Sequence, residues 1–238
     1  MKRALLAAML LATTFPSFAQ EEEGKVERLY YLDISAGYSL ALPPFSNAKT
    51  DAVFLKPRSG GSMSFAFVRK ITDDFGVQVE VLTTAFEVKN SDLVAASGSG
   101  GVTLSQLDVK PYRSTFFGAG AATFLPLARR LTLDVKGSVG VNLVEFAEQN
   151  FSRKLANDPP QSITVSAKRS LAPAALVGGR LRYPLGESVD IGVKVEYGIS
   201  YAKFTNVQRL VNTTNSELPD VKKTVSYLNT GLTLGLRF

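Results

Sequence analysis

"VDIGVKVEYGISY", residues 189–201, decides the fold. Val189, Ile191, Val193, Val195, Tyr197, Ile199 and Tyr201 stand at every second place, while Asp190, Lys194, Glu196 and Ser200 fill gaps between them. On a helix these charges would scatter round the circumference. Only a strand, with its period of two, gathers them on one side. The stretch therefore reads as a long strand with one apolar face and one charged face.

The same pattern recurs along the chain. In "LTLDVKGSVGVNL", Leu131, Leu133, Val135, Val139, Val141 and Leu143 oppose Thr132, Asp134, Lys136, Ser138 and Asn142. In "LYYLDISAGYSLA", Tyr30, Leu32, Ile34, Ala36, Tyr38 and Leu40 oppose Asp33, Ser35, Gly37 and Ser39. Five further segments follow it less regularly, near 61–70, 75–86, 112–125, 176–183 and 227–238, which brings the expected total to eight strands. "FFGAGAATF" (116–124) fits either register, so its outward face stays open.

The connections alternate as well. "ITDD", "PLARR" and "PLGES" are short and carry the turn residues Pro, Gly and Asp. The others, about 42–59, 87–110, 146–172 and 204–225, are long and polar, and include "SGSGG" (97–101), "NDPP" (157–160) and "NTTNS" (212–216). These four are expected to be flexible loops without a packed core.

An apolar strand face needs either a second sheet or lipid. Strands of roughly 10 to 14 residues match the ~9–11 needed to cross a bilayer at a tilt, and soluble strands average about 5–6. Short connections at one end and long ones at the other are the pattern of an outer-membrane barrel. Tyr30, Tyr31, Tyr38, Phe65, Phe67, Tyr197, Tyr201 and Phe238 cluster toward strand ends, where aromatic girdles belong. The expected fold is all-β: an eight-stranded antiparallel up-and-down transmembrane β-barrel with short periplasmic turns and four long extracellular loops.

The opposite face then lines the lumen. It is expected to carry Asp33, Glu80, Asp134, Asp190 and Glu196 against Lys136, Arg180, Arg182, Lys194 and Arg237. Eight strands leave an interior just wide enough for side chains. Balanced charges there suit a plugged lumen, whereas a selective pore should favour one sign. The bland reading of the same residues is the wet face of a soluble sheet.

The two ends of the chain point the same way. "MKRALLAAMLLATTFPSFAQ" has a basic start, an apolar run from Ala4 to Ala12 and, in Ser17-Phe18-Ala19, small residues at the two places a signal peptidase reads. It reads as a signal peptide over residues 1–19, followed by a short segment 20–27 and a barrel domain 28–238. The run is too short for a membrane anchor, which needs roughly 20 apolar residues. At the other end, Asn229, Gly231, Leu234, Leu236 and Phe238 resemble the C-terminal recognition signal of bacterial outer-membrane proteins. The whole chain resembles the small eight-stranded outer-membrane β-barrel proteins of Gram-negative bacteria. That resemblance implies insertion by the barrel assembly machinery, and surroundings of outer-membrane lipid and lipopolysaccharide.

The composition excludes much chemistry. The chain has no cysteine, histidine or tryptophan. Disulfides, thiolate metal sites and the commonest general base and metal ligand are therefore ruled out. The enzymes among barrels of this size act on lipid or peptide through histidine, so that resemblance fails here. No catalytic, metal or cofactor site is expected, and a pair such as Glu80 with Asp134 reads as salt-bridge material. The formal charge is +6, but the basic residues are scattered, so no nucleic acid is expected. Asn150-Phe151-Ser152 and Asn212-Thr213-Thr214 match a glycosylation sequon that means little in this setting.

The expected function is that of a monomeric, non-enzymatic barrel acting through its loops as a structural, surface-interaction or envelope-complex protein, with an envelope or surface protein as partner. The alternative is a narrow porin-like channel, or a carrier for small or apolar solutes.

Overall fold

The computed structural model describes residues 29–46, 56–88, 103–154 and 159–238. The leader, the segment 20–27 and the "SGSGG" stretch lie outside the described residues. Eight long strands alternate with short or long connections. They are β1 (Tyr30–Ala41), β2 (Pro57–Lys70), β3 (Phe75–Val88), β5 (Tyr112–Ala128), β6 (Leu131–Phe146), β9 (Lys168–Pro184), β10 (Val189–Phe204) and β13 (Val221–Arg237). Each pairs antiparallel with its neighbours, and β1 closes on β13, giving one closed barrel. Closure leaves no barrel strand with a bare edge, which is what lets such a sheet stand in lipid.

Outward and inward residues follow the period of two. Val193 and Val195 are exposed while Lys194 and Glu196 are buried. The exposed side is apolar nearly throughout, from Leu232 (71% exposed) and Val139 (70%) to Met63 and Phe65. An apolar belt of this extent belongs in lipid. The open register at 116–124 resolves with Phe116, Ala122 and Phe124 inward and Phe117 outward. Tyr31 departs from the expected girdle: it points into the lumen and stacks on Phe124 at 5.9 Å. Tyr30 does face out, where it stacks on Phe67 at 5.7 Å and Phe238 at 6.0 Å. Reciprocal backbone bonds of 3.0 Å join Tyr30 and Phe238, so the last residue is held by the first strand.

Three connections are short turns at one end of the barrel, and the long ones gather at the other, here called the loop end. The expectation of loops without a packed core does not hold there. Among the described residues, three of these connections hold five short strands: β4 (Thr103–Val109), β7 (Gln149–Lys154), β8 (Gln161–Val165), β11 (Val207–Val211) and β12 (Thr214–Leu218). They form a second antiparallel sheet in the order β12-β11-β8-β7-β4. Two barrel strands also reach further into the loops than the alternation suggested, β9 starting at Lys168 and β13 at Val221. The physical reason is that short alternations such as Ile163 with Val165, and Val207 with Val211, have an apolar surface to cover. Asn212 makes the β11–β12 turn possible. It adopts φ 52°, which asparagine tolerates better than most residues, and exchanges bonds of 2.8 and 2.9 Å with Ser162.

Candidate functional site

The interior of the barrel is layered along its axis. In the turn-side half, Tyr31, Val68, Ala122 and Phe124 form a small apolar cluster. The Arg182 guanidinium lies 4.8 Å above the Tyr31 ring and 5.6 Å from Phe124. A delocalised cation over aromatic faces gains electrostatic stabilisation and joins that cluster to the charges.

Beside it runs a chain of six charges alternating in sign: Asp33, Arg180, Asp134, Arg182, Asp190, Arg237. Arg180 contacts Asp33 and donates to Asp134 Oδ2 from Nε at 2.8 Å and Nη2 at 2.5 Å. Arg182 reaches Asp134 at 3.1 Å and Asp190 at 3.6 Å, and Arg237 reaches Asp190 at 3.5 Å. Five strands contribute, β1, β6, β9, β10 and β13, so the chain ties together much of the barrel wall. Gly235 makes room for it, since a Cβ there would collide with the Asp190 carboxylate.

The next layer holds Glu80, Lys136, Glu196 and Lys194. Lys136 Nζ lies 2.6 Å from Glu80 and 2.5 Å from Glu196. Lys194 Nζ lies 2.8 Å from Glu196 and donates to Ser64 Oγ at 2.7 Å. Glu196 is the hub, shared by both lysines and fully buried. Between the two charged layers lies a cavity of about 30 Å³, bordered by Asp33, Ser64, Asp134, Lys136, Arg180 and Lys194. That is room for roughly two waters.

All ten charged residues singled out in the sequence thus face inward, and they assemble into two chains that each sum to zero. Glu80 and Asp134 are not a carboxylate pair: Glu80 binds Lys136, and Asp134 binds two arginines. Neutral polar residues of the same strand faces complete the network. Gln78 donates to Ser138 at 2.8 Å, Asn142 bridges Ser114 (2.8 Å) and Ser200 (2.9 Å), and Ser39 donates to Asn229. Their signal was present, as small polar residues on the charged face of each strand.

Toward the loop end the interior turns apolar, which alternation alone did not foretell. Phe45, Phe86, Tyr112, Phe116, Phe146, Phe204 and Tyr227 are almost wholly buried. Perpendicular contacts run from Phe86 through Phe45, Tyr112 and Phe146 to Phe204, with centroids 5.3 to 5.8 Å apart. Such edge-to-face pairs contribute about 0.5–1.5 kcal/mol each beyond area burial. Gly198 leaves space for the Tyr227 ring. The second sheet covers this mouth, with Phe151, Ile163, Val165 and Val207 joining the same cluster. The signal in the sequence was subtle: alternation lapses into adjacent apolar pairs such as Leu143-Val144 and Tyr201-Ala202.

Where cap and barrel meet at the surface, Lys110 Nζ lies 2.8 Å from Glu148. The hydrogen bond holds the Glu148 carboxyl below the usual carboxylate range and the Lys110 amine above its ordinary value.

A closed, antiparallel, eight-stranded barrel with an apolar belt and a charge-filled interior defines the class: a small transmembrane barrel of the outer-membrane type. The chain is similar to solved structures of outer-membrane proteins. Ail, the attachment invasion locus protein of Yersinia pestis, is 15% identical over 90% of this chain and 100% of its own, with a TM-score of 0.44. A major outer membrane protein of Thermus thermophilus is 13% identical over 88% of this chain and 99% of its own, with a TM-score of 0.48. The outer membrane protease OmpT of Escherichia coli is 9% identical over 88% and 97%, with a TM-score of 0.38. No family model matches the chain, and no curated protein matches it by sequence.

Proposed function

We propose that this protein is a non-enzymatic outer-membrane barrel, closed to polar solutes, that acts through the folded cap at its loop end as a structural, surface-interaction or envelope-complex protein. One observation carries the proposal: each charged layer neutralises itself and is buried, and the mouth above them is filled by aromatic rings. A hydrated ion has neither a free counter-charge to follow nor a wet route. The loop end faces outward in this reading and the short turns face the periplasm. The lumen charges Asp33, Glu80, Asp134, Lys136, Arg180, Arg182, Asp190, Lys194, Glu196 and Arg237 act as a structural brace.

The same reading includes export with cleavage after Ala19, recognition of Asn229, Gly231, Leu234, Leu236 and Phe238 by the barrel assembly machinery, and a monomer standing in outer-membrane lipid and lipopolysaccharide. An enzymatic role is disfavoured because histidine and cysteine are absent and each lumen acid contacts a base.

The apolar mouth favours one alternative, a carrier for small apolar solutes that enter under the cap. Planar-bilayer recording tests the main reading, which expects no steady conductance. Steady single-channel current from wild type would overturn it. Faster entry of an apolar dye into vesicles bearing the protein, without ionic current, would support the carrier instead.

A further inference from the structure

The outward-facing charges just beyond the apolar belt at the loop end form a ring. Going round the wall they are Arg58 on β2, Glu87 on β3, Arg113 on β5, Glu145 on β6 and Arg169 on β9. The sign alternates at each step. Arg113 lies opposite Glu145 and Glu145 opposite Arg169, with Arg169 Nε 2.8 Å from Glu145 Oε2. A ring of this kind neutralises itself across strands.

On β10 and β13 the alternation stops. The next two positions are Lys203 and Lys222, directly opposite each other and both exposed. Lys203 and Lys222 thus face each other, and Arg169 is the outward cation that precedes them on β9. Like charges directly opposite across strands are destabilising. Asp220, 2.7 Å from Lys203, offsets part of that repulsion, and Lys222 stands beside this pair.

Two further features mark the same place. The β9–β10 ladder ends at Ser200 and Ala174, beside Pro173, whose nitrogen has no hydrogen to donate. Beyond it a side-chain bond links the two strands, from Lys203 N–H to Ser170 Oγ at 3.1 Å. Leu171 and Tyr201, on the belt side of Arg169 and Lys203, are 67% and 63% exposed. Cations sit directly above bare apolar surface, at a point where the wall loosens.

We propose that Arg169, Lys203 and Lys222 seat the phosphate of an outer-leaflet lipid whose chain lies on Leu171 and Tyr201. The proposal rests on the outer-membrane reading above. Charge complementarity selects an anionic headgroup, and the apolar surface beneath selects a lipid over a free phosphate. Glu145 and Asp220 hold Arg169 and Lys203 in place, while Lys222 is the cation standing beside those ion pairs.

The test uses the full chain folded in neutral detergent and mixed with phosphatidic acid, phosphatidylcholine or inorganic pyrophosphate. Retained lipid is counted by native mass spectrometry, and heat-modifiable migration reports the barrel independently. Wild type is expected to retain phosphatidic acid in preference to phosphatidylcholine. Lys203→Gln and Lys222→Gln should each weaken that retention about fivefold. Arg113→Gln, on the alternating part of the ring, should change it by less than about twofold. The Leu171→Ser, Tyr201→Ser double variant should also lose retention with its gel shift intact. Equal retention by Lys222→Gln and wild type, both folded, overturns the site. Full displacement of the lipid by pyrophosphate, with the Leu171 and Tyr201 substitutions neutral, overturns the lipid as occupant. A wild type that shows no heat-modifiable band overturns the barrel itself, and the lipid seat falls with it.

Discussion

The two halves of the barrel interior solve one packing problem with opposite chemistry. Toward the turns the lumen is filled by ions in alternating order, and toward the loops by aromatic rings. Burying charge is expensive unless every ion is paired, so that half constrains the identity of each member. Burying rings is favourable for any residue of suitable shape, so the other half constrains volume. The ionic half specifies which strands meet, whereas the aromatic half supplies packing energy and a seat for the cap.

That contrast breaks most sharply at Glu196. Glu196→Gln removes the carboxylate shared by Lys136 and Lys194 and should destabilise the barrel by about 3–5 kcal/mol. Urea titration followed by heat-modifiable migration measures it. Changing Glu196 and Lys194 together to leucine should restore most of the loss, because the pair leaves no orphan charge. A cost of the single change below about 1 kcal/mol would mean that the charges are hydrated rather than buried.

In the aromatic half, Phe146→Ala should cost about 3 kcal/mol through lost contact and a residual cavity. Phe146→Leu should recover most of it, since volume rather than identity matters there. Equal loss for both substitutions would assign the ring contacts a specific role and weaken the contrast.

Replacing residues 149–165 by a short turn sharpens the comparison from the cap side. The barrel should stay closed, because its ladder and both charged layers lie outside the deletion. The mouth loses Phe151, Ile163 and Val165 as cover. An environment-sensitive dye should then bind several-fold more strongly than to wild type. Unchanged dye binding would show that the rings close the mouth unaided.

The smallest effect belongs to the exposed Lys110–Glu148 pair. The folded-state pKa of Glu148 is depressed, so its contribution is present above the ordinary carboxylate value of about 4.3 and is lost as pH falls through the folded value. The folded-state pKa of Lys110 is raised, so its contribution is complete below about 10.4 and fades as pH rises through the folded value. Hydrogen exchange in β7 should therefore differ between wild type and Lys110→Gln by a small, constant factor from pH 5 to pH 9, taken as about one unit inside those limits. A difference that persisted below the range where Glu148 ionises would remove the pair from the explanation.

By itself the sequence determined the barrel. Eight strands and the short turns between them were legible because a membrane barrel must repeat one constraint on every strand, apolar to lipid and polar to lumen, with a period that no helix shares. The inward faces of Asp134, Lys194 and Glu196 followed from that period alone. Tertiary structure decided which charge meets which. Asp33 and Arg180 are far apart in sequence, and closure of β1 on β13 with its strand shear brings them together. It also decided the fate of the long connections. Ile163, Val165 and Val207 look like isolated apolar residues in polar loops until the mouth supplies a surface to cover, and that surface arises only when Phe86, Phe116, Phe146 and Phe204 converge from different strands. Local pattern fixes which way a side chain points; only the closed barrel fixes what it meets there.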